Sequence, residues 1–339
     1  MHTYLIEMLE CPACHGRLEW NMIEKHENRI ETAEATCKAC AAIYPVHEGI
    51  GLFLTPRSQR NDLWGQVDSG LIQYLREHPE VERQLMDVPL DTLVPADQLF
   101  RALVFEERGN YVEARTAAAA ANKGLYTPAY INCRDKQLDY VLDWLSATKG
   151  PIIDLASGAC YLVQELARRL NCPIVATDFS PKVLRADRKR LQSAGLYDQV
   201  SLLAFDARHT PFKDGAVATL TTHLGLPNIE EPGNLLGELR RIVNGVFLAI
   251  SHFFPEDDEA NTKVIHDAGL EALLYRRSAL EQFIAAGWNV EVTNDCAGEA
   301  QPTPPGVVLN GARIDGLPVA DTTLEWCVLL ATNTQAQSK

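Results

Sequence analysis

Four of the nine cysteines form two CxxC pairs, and thiolates at this spacing are typical zinc ligands. The pairs are Cys11 with Cys14 and Cys37 with Cys40. Each pair lies on a tight turn that lets two sulfur atoms reach one ion, and four sulfurs leave no open position for a catalytic water. We expect the adjacent His15 not to be a ligand, because the shell is already complete. The sequence therefore predicts a structural Zn²⁺ site; the alternative is two unrelated redox dithiols.

Three acidic residues, each at the end of an apolar segment, stand where doubly wound proteins bind a nucleoside. These acids and the small or aromatic residues that follow them are Asp154, Ala156, Ser157, Gly158, Asp178, Phe179, Asp206 and Ala207. Small residues allow close approach of the backbone, and carboxylates can bind ribose hydroxyls and the adenine edge. A single acid at such a position is also explained as a helix cap or turn former, and Asp178 could serve as both cap and ligand.

Two histidines that follow later strands are candidates for a catalytic base. His223 comes after the fourth strand of the same region, and His252 comes after the fifth. A base is needed only where the acceptor must lose a proton, and each imidazole is equally explained as a hydrogen-bonded wall of the pocket. His223 is favoured by its position, while Ser251, Tyr126 and Tyr130 are candidates for orienting a substrate.

Beyond Pro151, short apolar strands alternate with amphipathic helices, which predicts an α/β fold with a doubly wound sheet. The predicted strands are Ile152–Leu155, Ile174–Thr177, Val200–Phe205, Val217–Thr222, Val246–Ser251, Trp288–Val292 and Leu324–Leu330. The predicted crossover helices are Tyr161–Leu170, Pro181–Leu191, Pro232–Ile242 and Ser278–Ala286. We expect seven mostly parallel strands with binding sites at their carboxyl ends. The Pro- and Gly-rich segment Ala297–Pro318 predicts either a loop that closes on a ligand or a surface hairpin.

The remaining regions and the composition limit the class of protein. Residues 57–149 show helical spacing and predict a connector or cap, ending in a helix over about Arg134–Leu145. The chain has 339 residues and a formal charge of −14, and each of its regions is acidic, which argues against nucleic-acid binding. Its apolar runs, such as Val246–Ile250, are too short for a membrane helix, and a basic leader is absent, so we expect a cytoplasmic protein.

The cysteine pairs and their flanks resemble a known family. Tyr4–Leu18 and Cys37–Ile50 are similar to the small zinc-binding activator protein of RNA and protein methyltransferases. In that family a short helix enters the first cysteine pair, and the second pair leads into a strand with the pattern YPV followed by GI. The resemblance covers about residues 1–54. It implies a module for packing or docking, including contact with another protein, rather than for catalysis.

The doubly wound region, roughly residues 126–332, resembles the class I S-adenosylmethionine-dependent methyltransferases. Ala204–Ile229 looks most like the quinone-biosynthesis C-methyltransferases, whose corresponding segment reads D-A-x-x-L-P-F-x-D followed by F-G-L-R-N. By position, the resemblance assigns Asp154, Ala156, Ser157 and Gly158 to the methionine part of the cofactor, Asp178 and Phe179 to ribose and adenine, Asp206 and Ala207 to the adenine edge, and His223 and Leu224 to the floor under the sulfonium.

This chain departs from that family at two turn positions. The family has glycine where this sequence has Ala156 and Cys160. Alanine is a mild change if φ is negative at Ala156, whereas we expect the Cβ of Cys160 to intrude where helix and strand approach closely.

Together the resemblances imply a zinc-binding domain over residues 1–56, a connector over 57–149 and an S-adenosylmethionine-binding methyltransferase domain over 150–332. Methyl transfer from a sulfonium is an in-line displacement that needs alignment and desolvation rather than a metal at the reacting atom. We expect a small-molecule acceptor of aromatic or quinone-like type. Two further possibilities are an rRNA or tRNA methyltransferase and a non-catalytic partner protein that docks through its zinc module.

Overall fold

The computed structural model describes residues 1–55, the backbone of residues 63–69, and residues 70–333. Its first part is a short helix followed by an antiparallel meander. These elements are α1 (Leu5–Met8), β1 (Leu18–His26), β2 (Arg29–Cys37), β3 (Ile43–His47) and β4 (Ile50–Leu52). The long β1–β2 hairpin occupies the stretch between the two cysteine pairs. The predicted boundary between residues 56 and 57 lies outside the described residues, so the division into three domains stays a prediction.

A helical region follows. Its elements are α2 (Leu63–Glu77), α3 (Pro79–Met86), a 3-10 turn (Leu90–Thr92), α4 (Pro95–Glu107), α5 (Tyr111–Leu125) and α6 (Pro128–Leu145). Proline stands in the first turn of α3, α4 and α6, where its missing N–H costs nothing. The helix predicted over Arg134–Leu145 is confirmed but begins earlier, because the Thr127 hydroxyl caps it by accepting the Tyr130 N–H at 3.0 Å. Within the described ranges, no helix is both long and apolar enough to cross a membrane.

The rest of the chain alternates strands and helices as predicted. Its elements are β5 (Ile152–Asp154), α7 (Tyr161–Arg169), β6 (Ile174–Asp178), α8 (Pro181–Ser193), β7 (Val200–Ala204), β8 (Val217–His223), α9 (Pro232–Ile242), β9 (Val243–Phe253), α10 (Glu259–Asp267), α11 (Glu271–Leu274), α12 (Arg276–Ala285), β10 (Trp288–Ala300) and β11 (Thr322–Asn333). The last two strands extend well beyond the predicted ranges, because each pairs along its length in an antiparallel ladder.

The sheet has eleven strands in the order β1-β2-β3-β4-β7-β6-β5-β8-β9-β11-β10 and is mixed, so the prediction of a seven-stranded, mostly parallel sheet is wrong. Strands β5 to β11 supply the expected seven, with β11 antiparallel to both neighbours. The four extra strands join because β4 pairs in parallel with β7, matching Ile50 with Leu202 and Leu52 with Ala204. Sequence patterns missed this junction because backbone hydrogen bonds make it and β4 has only three residues.

Side-chain packing also joins the N-terminal region to the sheet. Leu5, Leu9 and Phe53 belong to the same buried cluster as Leu203 and Phe212. A backbone bridge pairs Leu9 with Phe212 in the same place. The zinc-binding region and the β7 edge of the α/β region therefore share one core.

Candidate functional site

The four cysteines of the two CxxC pairs converge on one point. Their Sγ atoms all lie within 4.8 Å of one another. The Cys11–Cys40 and Cys14–Cys37 Sγ pairs are 3.7 and 3.5 Å apart. Tetrahedral coordination at a Zn–S distance of about 2.3 Å requires sulfur separations of about 3.8 Å, so the donor set fits Zn²⁺. Four thiolates would complete the coordination of the ion and leave no position for a substrate or a catalytic water, so the ion would have a structural role.

The turns around the cysteines are shaped for this convergence. A Cβ on Gly16 would lie 2.8 Å from the Cys37 Sγ and 3.2 Å from the Cys14 Sγ, so the close approach of the sulfurs requires glycine there. The His15 imidazole contacts the Glu10 carboxylate, with Nδ1 2.7 Å from Oε1. His15 lies outside the cysteine cluster, in agreement with the expectation that it is not a ligand.

The turns that follow β5 and β6 are tied together by hydrogen bonds. The Gly158 N–H donates to Asp178 Oδ2 at 3.2 Å, and the Ser180 N–H donates to Asp178 Oδ1 at 2.9 Å. The Ser157 N–H donates to the Thr177 carbonyl at 2.8 Å. The N-cap of α8 is Ser180, whose hydroxyl accepts the Val183 N–H, so Asp178 does not fill the cap position that the sequence left open.

The other two acids, Asp154 and Asp206, lie at the ends of the strands on either side of β6, and both form hydrogen bonds with other side chains of the protein. Asp154 and Asp206 are each 1% exposed. The Thr221 hydroxyl donates to Asp154 Oδ1 at 2.8 Å, and burial raises the pKa of Asp154 to about 7. Burial also opposes ionisation of Asp206, but hydrogen bonds from Arg208, at 3.0 and 2.8 Å, outweigh it and hold the pKa of Asp206 below its usual value. A direct contact of Asp154 or Asp206 with a ligand stays a prediction, and it requires these bonds to be exchanged.

The two residues that stand where the related family has glycine, Ala156 and Cys160, both have a left-handed backbone. Ala156 has φ 51°, so it is left-handed and not in the negative-φ state for which alanine is a mild change. A Cβ on Gly225 would lie 2.8 Å from the Ala156 Cβ, so glycine at 225 makes room for that methyl group. Cys160 is left-handed as well, with φ 57°, and its side chain is fully buried. Burial and the neighbouring Asp187 carboxylate raise the pKa of its thiol.

Both candidate bases are neutral imidazoles. Burial, assisted by Arg134, lowers the pKa of His223 to about 3, and burial lowers that of His252 to about 4. His223 Nε2 and His252 Nδ1 are buried without a hydrogen-bond partner within the described part of the chain. The His223 ring packs on Tyr161, with centroids 5.3 Å apart. Only His252 lines the cavities described next, although sequence position favoured His223.

Two adjoining cavities lie beyond the carboxyl ends of β8 and β9. The larger has a volume of about 370 Å³ and mainly apolar walls that include Leu274 and Phe283, and Ser251 also lines it. The smaller has a volume of about 150 Å³ and is lined by Tyr126 and Tyr130 among others. The residues that line both are Leu224, His252, Phe254, Asp315 and Leu317. The segment between β10 and β11 thus forms part of the cavity wall, and it is not a surface hairpin.

Asp315 connects this segment to the start of α6. The Tyr126 hydroxyl donates to Asp315 Oδ2 at 2.8 Å, and the Asp315 N–H donates to the Thr303 hydroxyl at 3.3 Å. The Tyr126 and Tyr130 rings stack with centroids 4.7 Å apart. Burial raises the pKa values of Asp315 and of both tyrosines.

The same segment is anchored at a second point by a buried carboxylate on α4. Asp97 is fully buried, and its oxygens accept the backbone N–H groups of Val307, Val308 and Leu309 at 2.8, 2.9 and 3.3 Å. Sequence reasoning missed Asp97 and Asp315. The segment between β10 and β11 carries charged residues besides Asp315, and no local sequence pattern shows that Asp315 is the one that lines the cavities.

Two parts of the chain match known families. Residues 152–245 match a family described as methyltransferase domain, and residues 2–49 match one described as Trm112p-like protein. A segment similar to methyltransferase domains therefore follows a segment similar to Trm112p-like proteins. Both resemblances stated from the sequence are therefore confirmed.

Curated relatives of the methyltransferase domain include quinone-biosynthesis enzymes. A demethylmenaquinone methyltransferase of Clavibacter sepedonicus is 36% identical over 92 residues, which is 27% of this chain and 36% of the relative. One of Lactiplantibacillus plantarum is 28% identical over 99 residues, covering 29% and 42%. The ubiquinone/menaquinone biosynthesis C-methyltransferase UbiE of Idiomarina loihiensis is 25% identical over 107 residues, covering 31% and 43%. The chain thus spans less than half the length of these relatives.

Among the solved structures to which this chain is similar are the following two proteins. The YcgJ protein from Bacillus subtilis has a TM-score of 0.47 at 15% identity, covering 59% of this chain and 98% of that one. A geranyl diphosphate C-methyltransferase from Streptomyces coelicolor has a TM-score of 0.44 at 14% identity, covering 58% and 75%.

Proposed function

We propose that this chain is an S-adenosylmethionine-dependent methyltransferase that acts on a small-molecule acceptor. The observation that carries the proposal is the pair of turns after β5 and β6, tied by the bond from the Gly158 N–H to Asp178, beside two cavities at the ends of β8 and β9. Ligands of doubly wound folds bind at the carboxyl ends of these strands. The matched methyltransferase domain supports the same assignment.

In the proposed cofactor site, some of the predicted residues contact the cofactor and others hold the surrounding turns in place. When bound, the sulfonium supplies an already activated methyl group. We assign Asp178 to the ribose hydroxyls, Phe179 and Ala207 to adenine, the backbone of Ala156, Ser157 and Gly158 to the methionine part, and His223 and Leu224 to the floor beneath the sulfonium. Asp154 and Asp206 hold the surrounding turns through Thr221 and Arg208, and move to the ligand only if those bonds are exchanged.

The chain's own residues would align the acceptor and exclude water. The apolar walls of the larger cavity desolvate an acceptor, which strengthens its nucleophile. His252 is unprotonated near neutral pH, so its imidazole is able to accept a hydrogen bond from the acceptor, while a pKa lowered to about 4 makes it a weak base for full proton transfer. Apolar walls and aromatic side chains suit an aromatic or quinone-like molecule, the class that the curated relatives' names indicate for those proteins.

An RNA acceptor and a purely non-catalytic docking role find less support. The formal charge of −14 disfavours a polyanion such as rRNA or tRNA. In this chain β4, which directly follows the segment matched to the Trm112p-like family, pairs with β7, so that strand already has a partner in cis. Contact of the zinc module with another protein stays a prediction for its other surfaces.

Calorimetry with S-adenosylhomocysteine tests the proposal on the zinc-loaded full chain. We expect one site per chain, with S-adenosylmethionine competing for it. A folded, zinc-loaded sample that gives no binding heat with either compound, and no protection of the turns after β5 and β6 in hydrogen exchange, would overturn the proposal and favour a non-catalytic partner protein.

A further inference from the structure

The wall shared by the two cavities is the most specific part of the candidate acceptor site. Five residues line both cavities, and only His252 and Asp315 among them have polar side chains. The other three, Leu224, Phe254 and Leu317, are apolar. A molecule that spans the junction therefore meets two polar side chains within an apolar surround.

The charges around the cavities restrict what can bind there. Among the described residues that line them, none is a lysine or arginine, and Asp315 is the single acidic side chain. Burying an anionic group without a cation is costly, and a carboxylate nearby adds repulsion. The mainly apolar wall of the larger cavity likewise favours an uncharged body.

Asp315 is held in one orientation with one oxygen engaged. Its Oδ2 accepts the Tyr126 hydroxyl at 2.8 Å, and its own N–H is fixed by the Thr303 hydroxyl. No hydrogen bond to Oδ1 is formed by the described residues. A half-buried carboxylate oxygen without a protein donor is a strong acceptor for a ligand donor.

His252 presents a complementary group at the same junction. Its ring packs edge-on against Trp326 and Phe254, with centroids 4.9 and 5.9 Å away. Its Nδ1 is buried and lacks a partner within the described ranges. A ligand in the cavities reaches this atom only if the ring turns, and the hydrogen bond formed then would offset the cost of leaving the atom unpaired.

We propose that Asp315 determines acceptor specificity: its carboxylate accepts a hydrogen bond from a hydroxyl on an otherwise apolar, uncharged acceptor, and His252 contacts the same hydroxyl. The inference rests on the proposed function, because it assigns both cavities to the acceptor. Asp315 selects the acceptor by leaving a desolvated carboxylate oxygen unpaired whenever the bound molecule lacks the donor.

Two probes that differ in one group test this on the zinc-loaded full chain. 2-Naphthol carries the hydroxyl, and 2-methylnaphthalene replaces it with a methyl group of similar size. We expect 2-naphthol to bind about tenfold more tightly, as measured by tryptophan fluorescence, because a hydrogen bond to a charged acceptor has about this effect. Asp315→Ala should abolish the preference, and Asp315→Asn, which keeps the shape, should reduce it. Asp321→Ala, an exposed acid of the same segment, should leave it unchanged.

Three results would overturn the inference. The first is an unchanged preference in Asp315→Ala and Asp315→Asn, and the second is that neither probe binds the unsubstituted chain. The third is tighter binding of 2-naphthylmethylamine than of 2-naphthol, which would indicate a site for a cation. S-adenosylhomocysteine binding is measured on the same samples. An unsubstituted chain that binds S-adenosylhomocysteine but binds the two probes equally overturns this inference alone. Failure of S-adenosylhomocysteine to bind, with the preference for 2-naphthol intact and lost in Asp315→Ala, overturns the proposed function and leaves Asp315 as the determinant of a ligand preference only.

Discussion

At the scale of single residues, Asp178 is the acid with the clearest link between two turns. Its carboxylate accepts N–H groups from Gly158 and Ser180. We expect Asp178→Ala to weaken S-adenosylhomocysteine binding by about 1.5–3 kcal/mol, because a charged hydrogen bond to the ribose is lost. Calorimetry measures the change. Asp257→Ala, which removes an exposed acid, is the control, and an unchanged dissociation constant for Asp178→Ala would limit Asp178 to shaping the turns.

The partly buried imidazole of His252, whose Nδ1 is fully enclosed, gives a second prediction. Its pKa is lowered to about 4, while an unfolded histidine titrates near its ordinary value. Between these values the unfolded chain binds a proton that the folded chain does not, so His252 makes stability fall as pH decreases below about 6.5. We expect the unfolding free energy of His252→Phe to fall less between pH 7 and pH 5 than that of the unsubstituted chain. Denaturant titrations check this, and His26→Phe, at an exposed site, should show the unsubstituted slope.

Residue types and spacing predicted the zinc ligands because tetrahedral coordination needs thiolates on two tight turns, and CxxC supplies both. The same reasoning placed Asp154, Asp178 and Asp206 at the ends of adjacent strands, but it could not tell which carboxylate is engaged internally. Asp154 is engaged by Thr221, which is 67 residues away in sequence, and such a long-range partner leaves no local signature. Asp206 is engaged by Arg208, which is only two residues away, but residue spacing does not show that this arginine turns back onto the carboxylate.

At the scale of elements, the segment between β10 and β11 depends on α4. Asp97 accepts three backbone N–H groups of Val307–Leu309, so we expect Asp97→Ala to cost about 3 kcal/mol by leaving one buried and two partly buried donors without their acceptor. Hydrogen exchange should accelerate at these three amides. Asp91→Ala on the neighbouring 3-10 turn, where the side chain is exposed, should change stability by less than about 0.5 kcal/mol. Equal exchange rates in the two variants would contradict the anchoring role.

Periodicity predicted the strands and crossover helices of the α/β region well, since alternation of apolar runs with amphipathic helices is a property of each segment. It did not predict the eleven-stranded sheet. The parallel pairing of β4 with β7 joins residues far apart in sequence, at Ile50 with Leu202. Edge strands pair through backbone groups, so their partner is decided by which surfaces meet in the fold.

At the scale of the whole molecule, zinc should stabilise more than its own module. Leu9 and Phe53 pack in one core with Leu203 and Phe212, and β4 extends the sheet at β7. Because metal-binding free energy contributes to folding, we expect chelation of Zn²⁺ or Cys14→Ser to lower the melting midpoint by about 5–10 °C in a single transition. Cys296→Ser, outside the cysteine cluster, should retain the metal.

Hydrogen exchange shows which strands are destabilised when zinc is removed. The β7 amides should lose protection with the metal, because β4 and its side chains cover them, whereas β10 lies at the opposite end of the sheet and should stay protected. If β7 keeps its full protection while β1 to β3 exchange freely, the Trm112p-like domain folds independently of the sheet. The shared core would then contribute little to the stability of the methyltransferase domain, and zinc would be needed only for its own module.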